Sequence, residues 1–253
     1  MPKNPLTKRY TLIDILRGLA VIAMIAYHTV WDLVYVYGIE VGDFSEYNQN
    51  RVIMQRLIRW SFIILSGFCF QMGNHKLKRG LTVFGGGVII TAVTMVVMPE
   101  FPIHLGVLTF MGSAMLLMIL PDKLLRHVNG WVGFGVSLAL FLATEFVPEG
   151  ILGRGAWSVE LPWQWYSNYF TTWLGLPSPL FYSADYVPLI PWIFGFCMGY
   201  FSYSIFKKHN WLKALSSVRF KPLEWVGRNA LIIYMLHQPL VYGALYVTFL
   251  FIR

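Results

Sequence analysis

The 253-residue chain is poor in charge: Asp, Glu, Lys and Arg make up 13% of it, against 57% hydrophobic residues. A soluble domain carries roughly twice that charged share, so an ordinary soluble protein is excluded. Cysteine is nearly absent, with Cys69 and Cys197 the only two and both inside apolar segments. That leaves packed, reduced thiols rather than a disulfide framework or a cysteine-based metal site. Acid is scarcer than base, 12 residues against 20. The basic surplus is divided among four short loops with no basic helix or aromatic reader between them, which excludes a nucleic-acid surface. No repeat, low-complexity tract or linker divides the sequence, so one domain over residues 1–253 is expected.

Long apolar runs fill the space that charge leaves. Mean hydropathy is +0.56, and windows long enough to cross a bilayer fall near residues 11–37, 55–73, 81–98, 103–120, 131–147, 186–206 and 229–251. The expected fold is all-α, a polytopic integral membrane bundle of about seven or more transmembrane helices. The first run is long and lacks a small-residue cleavage site behind it, so it is expected to stay as a signal anchor. Lys3, Lys8 and Arg9, then Lys76, Lys78 and Arg79, then Lys123 and Arg126, then Lys207, Lys208, Lys213, Arg219 and Lys221 fall on one side of the windows. The other side holds Glu40, Asp43, Glu46, Glu100, Glu149 and Glu160, with only Arg51, Arg154 and Arg253 against them. The positive-inside rule then places the N-terminus in the cytoplasm and the C-terminus outside.

The segment 148–185 is the one long connection, and it is rich in Trp157, Trp163, Trp165, Tyr166, Tyr169, Trp173, Phe181 and Tyr182. An interfacial aromatic belt is the favoured reading, with a sugar-stacking platform as its alternative. Gly195 with Gly199, and the run Gly85, Gly86, Gly87, are read as points where helices approach closely.

The first window carries Asp14, Arg17, His28 and Asp32, and at 100° per residue the four fall within roughly 60° of one helix face. A rise of 1.5 Å per residue sets Asp14 and Asp32 about 27 Å apart, nearly the thickness of the hydrocarbon core. Ionisable groups at that depth mark function by default. The stripe divides into an inner pair, Asp14 and Arg17, and an outer pair, His28 and Asp32. A carboxylate four residues after a histidine can orient its ring, which makes His28 a candidate general base. Equally, His28 bonds a neighbouring helix while Asp32 pairs with Arg56 or Arg59. His237 lies about 14 Å beyond Arg228 along the last window, ahead of Gln238 and Pro239. A kink at Pro239 frees backbone carbonyls that His237 can satisfy. His75, His104, His127 and His209 have no ligand-like spacing to Cys, Asp or Glu, so no metal site is expected. Lys76, Lys78 and Arg79, with Lys8 and Arg9, are placed to hold donor phosphates, against the more ordinary reading of topology signals and anionic-lipid contacts.

Arg17-Gly18-Leu19-Ala20 followed by His28, with Ser61 to Phe68 (SFIILSGF) in the second window, resembles the signature of the membrane acyltransferase-three family. The sequence is more similar still to the catalytic domain of heparan-alpha-glucosaminide N-acetyltransferase and its short bacterial relatives. The residues that carry this are Asp14 to Ala20, His28 to Leu33, Asp185 to Trp192, and Gly227-Arg228-Asn229-Ala230-Leu231 running to Tyr234 and His237-Gln238-Pro239. The resemblance implies transfer of an acetyl group from cytosolic acetyl-coenzyme A to an extracytoplasmic acceptor such as a glycan or amino sugar, without a metal, in a bacterial cytoplasmic membrane. It implies His28 as base or acyl carrier, Asp32 as its orienter, Arg17 as a group needed near the donor, and Arg228 and His237 lining the cavity; with the charge pattern, Asp14, Arg17, Lys76, Arg79 and Arg228 are the expected donor-binding residues. Arg56, Arg59, Asp185, Trp192, His237 and Gln238 are expected to line the substrate cavity.

Two departures bear on this. The additional spans and large luminal region of the lysosomal enzyme are not in this sequence, so its heparan acceptor is not carried over. Thr109 in the fourth window stands where many relatives have histidine. The expected partners are acyl-coenzyme A, the acceptor and membrane lipids, with a homodimer left open. Two other readings compete: a proton-coupled transporter using the Asp/Arg/His stripe, and a non-catalytic subunit whose charges only pair helices. The orientation is checked by cysteine labelling of Lys76→Cys and Arg79→Cys: both should react from the cytoplasmic side, and labelling from outside alone would overturn it.

Overall fold

A computed structural model describes residues 10–42, 44 and 48–252. Lys3, Lys8, Arg9, Asp43, Glu46 and Arg253, all used in the charge count above, lie outside the described residues. The helices among the described residues are α1 (Thr11–Tyr35), α2 (Gln49–Met72), α3 (Lys76–Val97), α4 (Val107–Leu117), α5 (Asp122–Leu125), α6 (Gly130–Thr144), α7 (Tyr169–Leu174), α8 (Leu189–Lys208), α9 (Lys221–Arg228) and α10 (Ala230–Ile252). A single antiparallel pair, β1 (Ile151–Leu152) with β2 (Val159–Glu160), sits in the long connection. The protein is thus an all-α polytopic membrane bundle.

Among the described residues six helices are long and apolar enough to cross a membrane: α1, α2, α3, α6 with its continuation to Glu149, α8 and α10. The fourth window departs from expectation. Its helix α4 has 11 residues, about 16 Å of rise and half a hydrocarbon core. Pro102 and Pro121 bound it, and residues 107–115 are all buried, so protein rather than lipid surrounds it. Two other helices start before their windows: α2 takes in Arg51, and α3 takes in Lys76, Lys78 and Arg79. Lys and Arg are good helix formers whose heads reach the interface from inside a helix end.

The chain groups into two compact units, residues 1–62 with 210–253, and residues 63–209. In the first, α1 packs along α9 and α10. The α1–α9 contact is glycine to backbone in both directions: a Cβ on Gly18 would strike the Leu223 carbonyl, and one on Gly227 the Asp14 carbonyl. Thr11 Oγ1 adds a hydrogen bond to the Val218 carbonyl at 2.6 Å.

In the second unit, α3 packs on α4 and α6 on α8. Of the glycines read as close-approach points, Gly87 meets Thr109 and Gly199 meets the Ile64 carbonyl, while Gly85 faces open space. Gly67 answers Gly199, its Cβ position blocked by the Phe196 carbonyl. Asp122 is the electrostatic centre of this unit. It takes Lys76 Nζ at 2.5 Å and Arg126 Nε at 3.0 Å, and the Tyr200 hydroxyl donates to its Oδ1 at 3.0 Å. Burial pushes the Asp122 carboxyl up, but the bonds from Lys76, Arg126 and Tyr200 outweigh it and hold the group below the ordinary carboxylate range.

A carboxyl held low in the folded state binds more protons when unfolded, so its stabilisation is full near neutrality and lost as pH falls below about 4. Asp122→Asn should cost about 3 kcal/mol and flatten that acid limb, and Tyr200→Phe about 1 kcal/mol. Thermal unfolding in detergent against pH checks both.

Candidate functional site

The polar stripe of α1 faces α9 at one end and α10 at the other, forming two clusters within the first unit. At the inner end Asp14, 6% exposed, takes Arg17 Nη1 at 3.2 Å and Arg228 Nε at 3.7 Å. Arg228 Nη2 reaches Glu224 at 2.8 Å, and Arg17 Nη1 also approaches the Gly227 carbonyl at 3.3 Å. This last contact depends on the glycine packing described above, which brings the α9 backbone against α1. Among the described residues two guanidiniums thus face two carboxylates, with the arginine side chains 27% and 41% exposed and the acids buried. Glu224 was not among the residues expected here. Its signal is the i,i+4 spacing to Arg228 on a short helix, and its Oε1 has no hydrogen-bond partner among the described residues.

At the outer end Asp32 is completely buried. Its Oδ1 accepts from Gln238 Nε2 at 2.7 Å, and its Oδ2 has no partner among the described residues. The expected carboxylate–imidazole pair within α1 does not form, nor does Asp32 pair with Arg56 or Arg59; the amide on α10 takes the carboxylate instead. His28 is placed against His237, ring centroids 5.1 Å apart at 50°. His237 Nδ1 lies 2.5 Å from the Tyr234 carbonyl. A carbonyl only accepts, so Nδ1 carries the proton and Nε2 is the acceptor nitrogen of the ring. Pro239 sits inside α10 without ending it; the carbonyl that His237 contacts, Tyr234, lies five residues before the proline and is not the Met235 carbonyl that the proline's missing N–H leaves without a helical donor.

A third feature of this end was read in the sequence only as a loop charge. Arg51, in the first turn of α2, donates from Nη1 to the Tyr27 hydroxyl at 3.3 Å and lies over the Phe44 ring at 5.6 Å. Arg56 is exposed and Arg59 half-buried on the same helix.

The remaining expected site residues belong to the second unit. Lys76 is committed to Asp122 and lies 4.4 Å from the Phe70 ring centroid, and the Arg79 guanidinium lies against Gly73. Asp185 Oδ2 accepts from the Val107 amide at 3.3 Å, capping α4, whose own N-cap position is Gly106. Trp192 packs edge-on against Phe141 at 5.5 Å. Thr109 is buried against Gly87. In the long connection Trp157 and Trp163 are 89% and 78% exposed. No group of three or more His, Cys, Asp or Glu side chains that could hold a metal occurs among the described residues.

Residues 9–239 match the family described as "Heparan-alpha-glucosaminide N-acetyltransferase, catalytic". No curated protein and no solved structure matches the chain. The match covers most of the sequence, and the chain belongs to this family of membrane acetyltransferases.

Because Gln238 is the donor to a buried carboxylate, Gln238→Leu should destabilise the protein by about 2 kcal/mol. In an Asp32→Asn background the same change should cost markedly less. A double-mutant cycle followed by thermal unfolding in detergent measures the coupling; additive effects would mean the bond does not form.

Proposed function

We propose that the chain transfers an acetyl group from cytosolic acetyl-coenzyme A to an extracytoplasmic acceptor, a glycan or amino sugar, in a bacterial cytoplasmic membrane with its N-terminus inside. The observation that carries the reading is the pairing of two different clusters on one face of α1, within a chain of this family. Arg17 and His28 are 11 residues apart, about 16 Å along the helix. One end offers two arginines for the phosphates of the donor, and the other offers two imidazoles for proton transfer to and from the reacting groups.

On this reading Arg17 and Arg228 exchange part of their contact with Asp14 and Glu224 for donor phosphate oxygens, and their partial exposure permits that. His28 takes the proton from the attacking amine or hydroxyl. His237, with its Nδ1 proton given to the Tyr234 carbonyl, presents Nε2 toward the forming imidazolium and stabilises it. Asp32 serves indirectly: held by Gln238, it fixes α1 against α10 and with it the two rings.

The purified protein should bind acetyl-coenzyme A saturably and release coenzyme A in the presence of acceptor, and His28→Ala should abolish release while leaving thermal stability nearly unchanged. Binding and thiol release measured on wild type and variant decide this: a folded wild type that does not bind the donor would overturn the reading, and normal release by the variant would remove His28 from it.

A further inference from the structure

From the geometry around Tyr27 we infer that its phenol is the hydrogen-bond donor to the thioester carbonyl oxygen, and that Arg51 is the residue that positions and polarises it. This rests on the acetyltransfer reading above and names a group for a charge that the two histidines leave unaddressed.

Acyl transfer creates that charge. When the acceptor's nucleophile attacks the thioester carbon, its lone pair forms the new bond, the carbonyl π pair moves onto oxygen, and its proton passes to His28. On collapse the oxygen pair re-forms C=O, the C–S bond breaks, and the sulfur takes the proton back from His28. Between the two steps a full negative charge sits on oxygen, in a medium with no bulk water to solvate it. Donors aimed at that oxygen supply the largest single share of catalysis in such reactions. His28 and His237 are both engaged with protons elsewhere.

Tyr27 meets the requirements. It is adjacent to His28, its ring edge-on to the imidazole with centroids 5.6 Å apart at 87°, and it is only 5% exposed. Its oxygen accepts from Arg51 Nη1, and its own proton goes to no acceptor among the described residues. A phenol that receives a charged hydrogen bond is a stronger donor with its remaining proton. Arg51 is in turn fixed: its backbone amide is capped by Asn48 Oδ1 at 3.1 Å, and its guanidinium rests over Phe44. Phe44 packs on Tyr27 as well, with centroids 5.6 Å apart. A buried phenol held this firmly costs no reorganisation when the charge appears. Packing alone would be met as well by phenylalanine, which would leave the partly buried Arg51 guanidinium without the phenol oxygen it donates to.

The test reads the carbonyl directly and needs no acceptor. The full-length protein is loaded with carbonyl-¹³C acetyl-coenzyme A, and the bound carbonyl stretch is followed by isotope-edited infrared spectroscopy. Wild type should shift the band to lower wavenumber than free donor. Tyr27→Phe should abolish the shift, with donor affinity changed by no more than about tenfold, and Arg51→Gln should reduce it. Incorporation of 3-fluorotyrosine at position 27 acidifies the phenol at nearly constant size and should deepen the shift, which a merely structural role would not do. That comparison stands even where Tyr27→Phe fails to fold. Donor bound by wild type with an unshifted carbonyl, or a shift indifferent to both changes at position 27, overturns the inference and leaves the acetyltransfer reading intact. A folded wild type that binds no donor removes both.

Discussion

Asp32 imposes the condition that shapes the contact between α1 and α10. A carboxylate within hydrocarbon must find its donors in the protein, because lipid supplies none. Asp32 is wholly buried, and the donor it finds is the amide of Gln238 on another helix. That bond fixes the register of α1 against α10, and the registers of His28 and His237 follow, since one precedes Asp32 by a turn and the other precedes Gln238 by one residue. The contact between the imidazoles is thus a consequence of how one buried charge is satisfied. The same constraint operates at Asp122 in the second unit, where three donors from three segments converge on a single carboxylate.

Packing makes these bonds attainable. Between helices in a bilayer there is little hydrophobic gain, so association depends on van der Waals contact and on close backbone approach at small residues. Gly18 and Gly227 face each other's helix backbones in one unit, as Gly67 and Gly199 do in the other. Without the first pair the α9 backbone would stand farther from α1, and Arg17 would lose the Gly227 carbonyl that helps hold it. Glycine here serves proximity rather than backbone freedom, since all four sit within helices.

The sequence made the helices and the stripe legible, because length and a period of 3.6 residues are properties of a single segment. Asp14, Arg17, His28 and Asp32 share a face whatever surrounds them. Their partners were not legible, because partner choice depends on how neighbouring helices are rotated. Asp32 had cationic candidates in Arg56 and Arg59, yet it bonds an uncharged amide, while Arg51, at a helix start that hydropathy placed in a loop, reaches Tyr27 on α1. Lys76 shows the same limit: its basic cluster suggested ligand phosphate, and Asp122 claims it. The short α4 was misjudged for another reason. Hydropathy measures burial without distinguishing lipid from protein, so an enclosed 11-residue helix with its flanking turns reads like a full span.

The two clusters on α1 differ in charge balance, and on the proposed reaction that difference is functional. Among the described residues the inner cluster sets two guanidiniums against two carboxylates, so each arginine is oriented before any ligand arrives yet remains partly exposed. Donor phosphates need only compete with Asp14 and Glu224 for hydrogen bonds that are already directed, which lowers the ordering cost of binding. The outer cluster carries one carboxylate satisfied at one oxygen by an amide, beside two imidazoles and a phenol backed by Arg51. There the groups must respond to charge that appears and disappears within a turnover. A rigidly paired ion would resist that change, whereas imidazoles and a polarised hydroxyl accept and return protons or hydrogen bonds with little rearrangement. Fixed charge where a charged ligand is held, and adjustable protons where charge is transient, is the division of labour that a single helix spanning both ends provides.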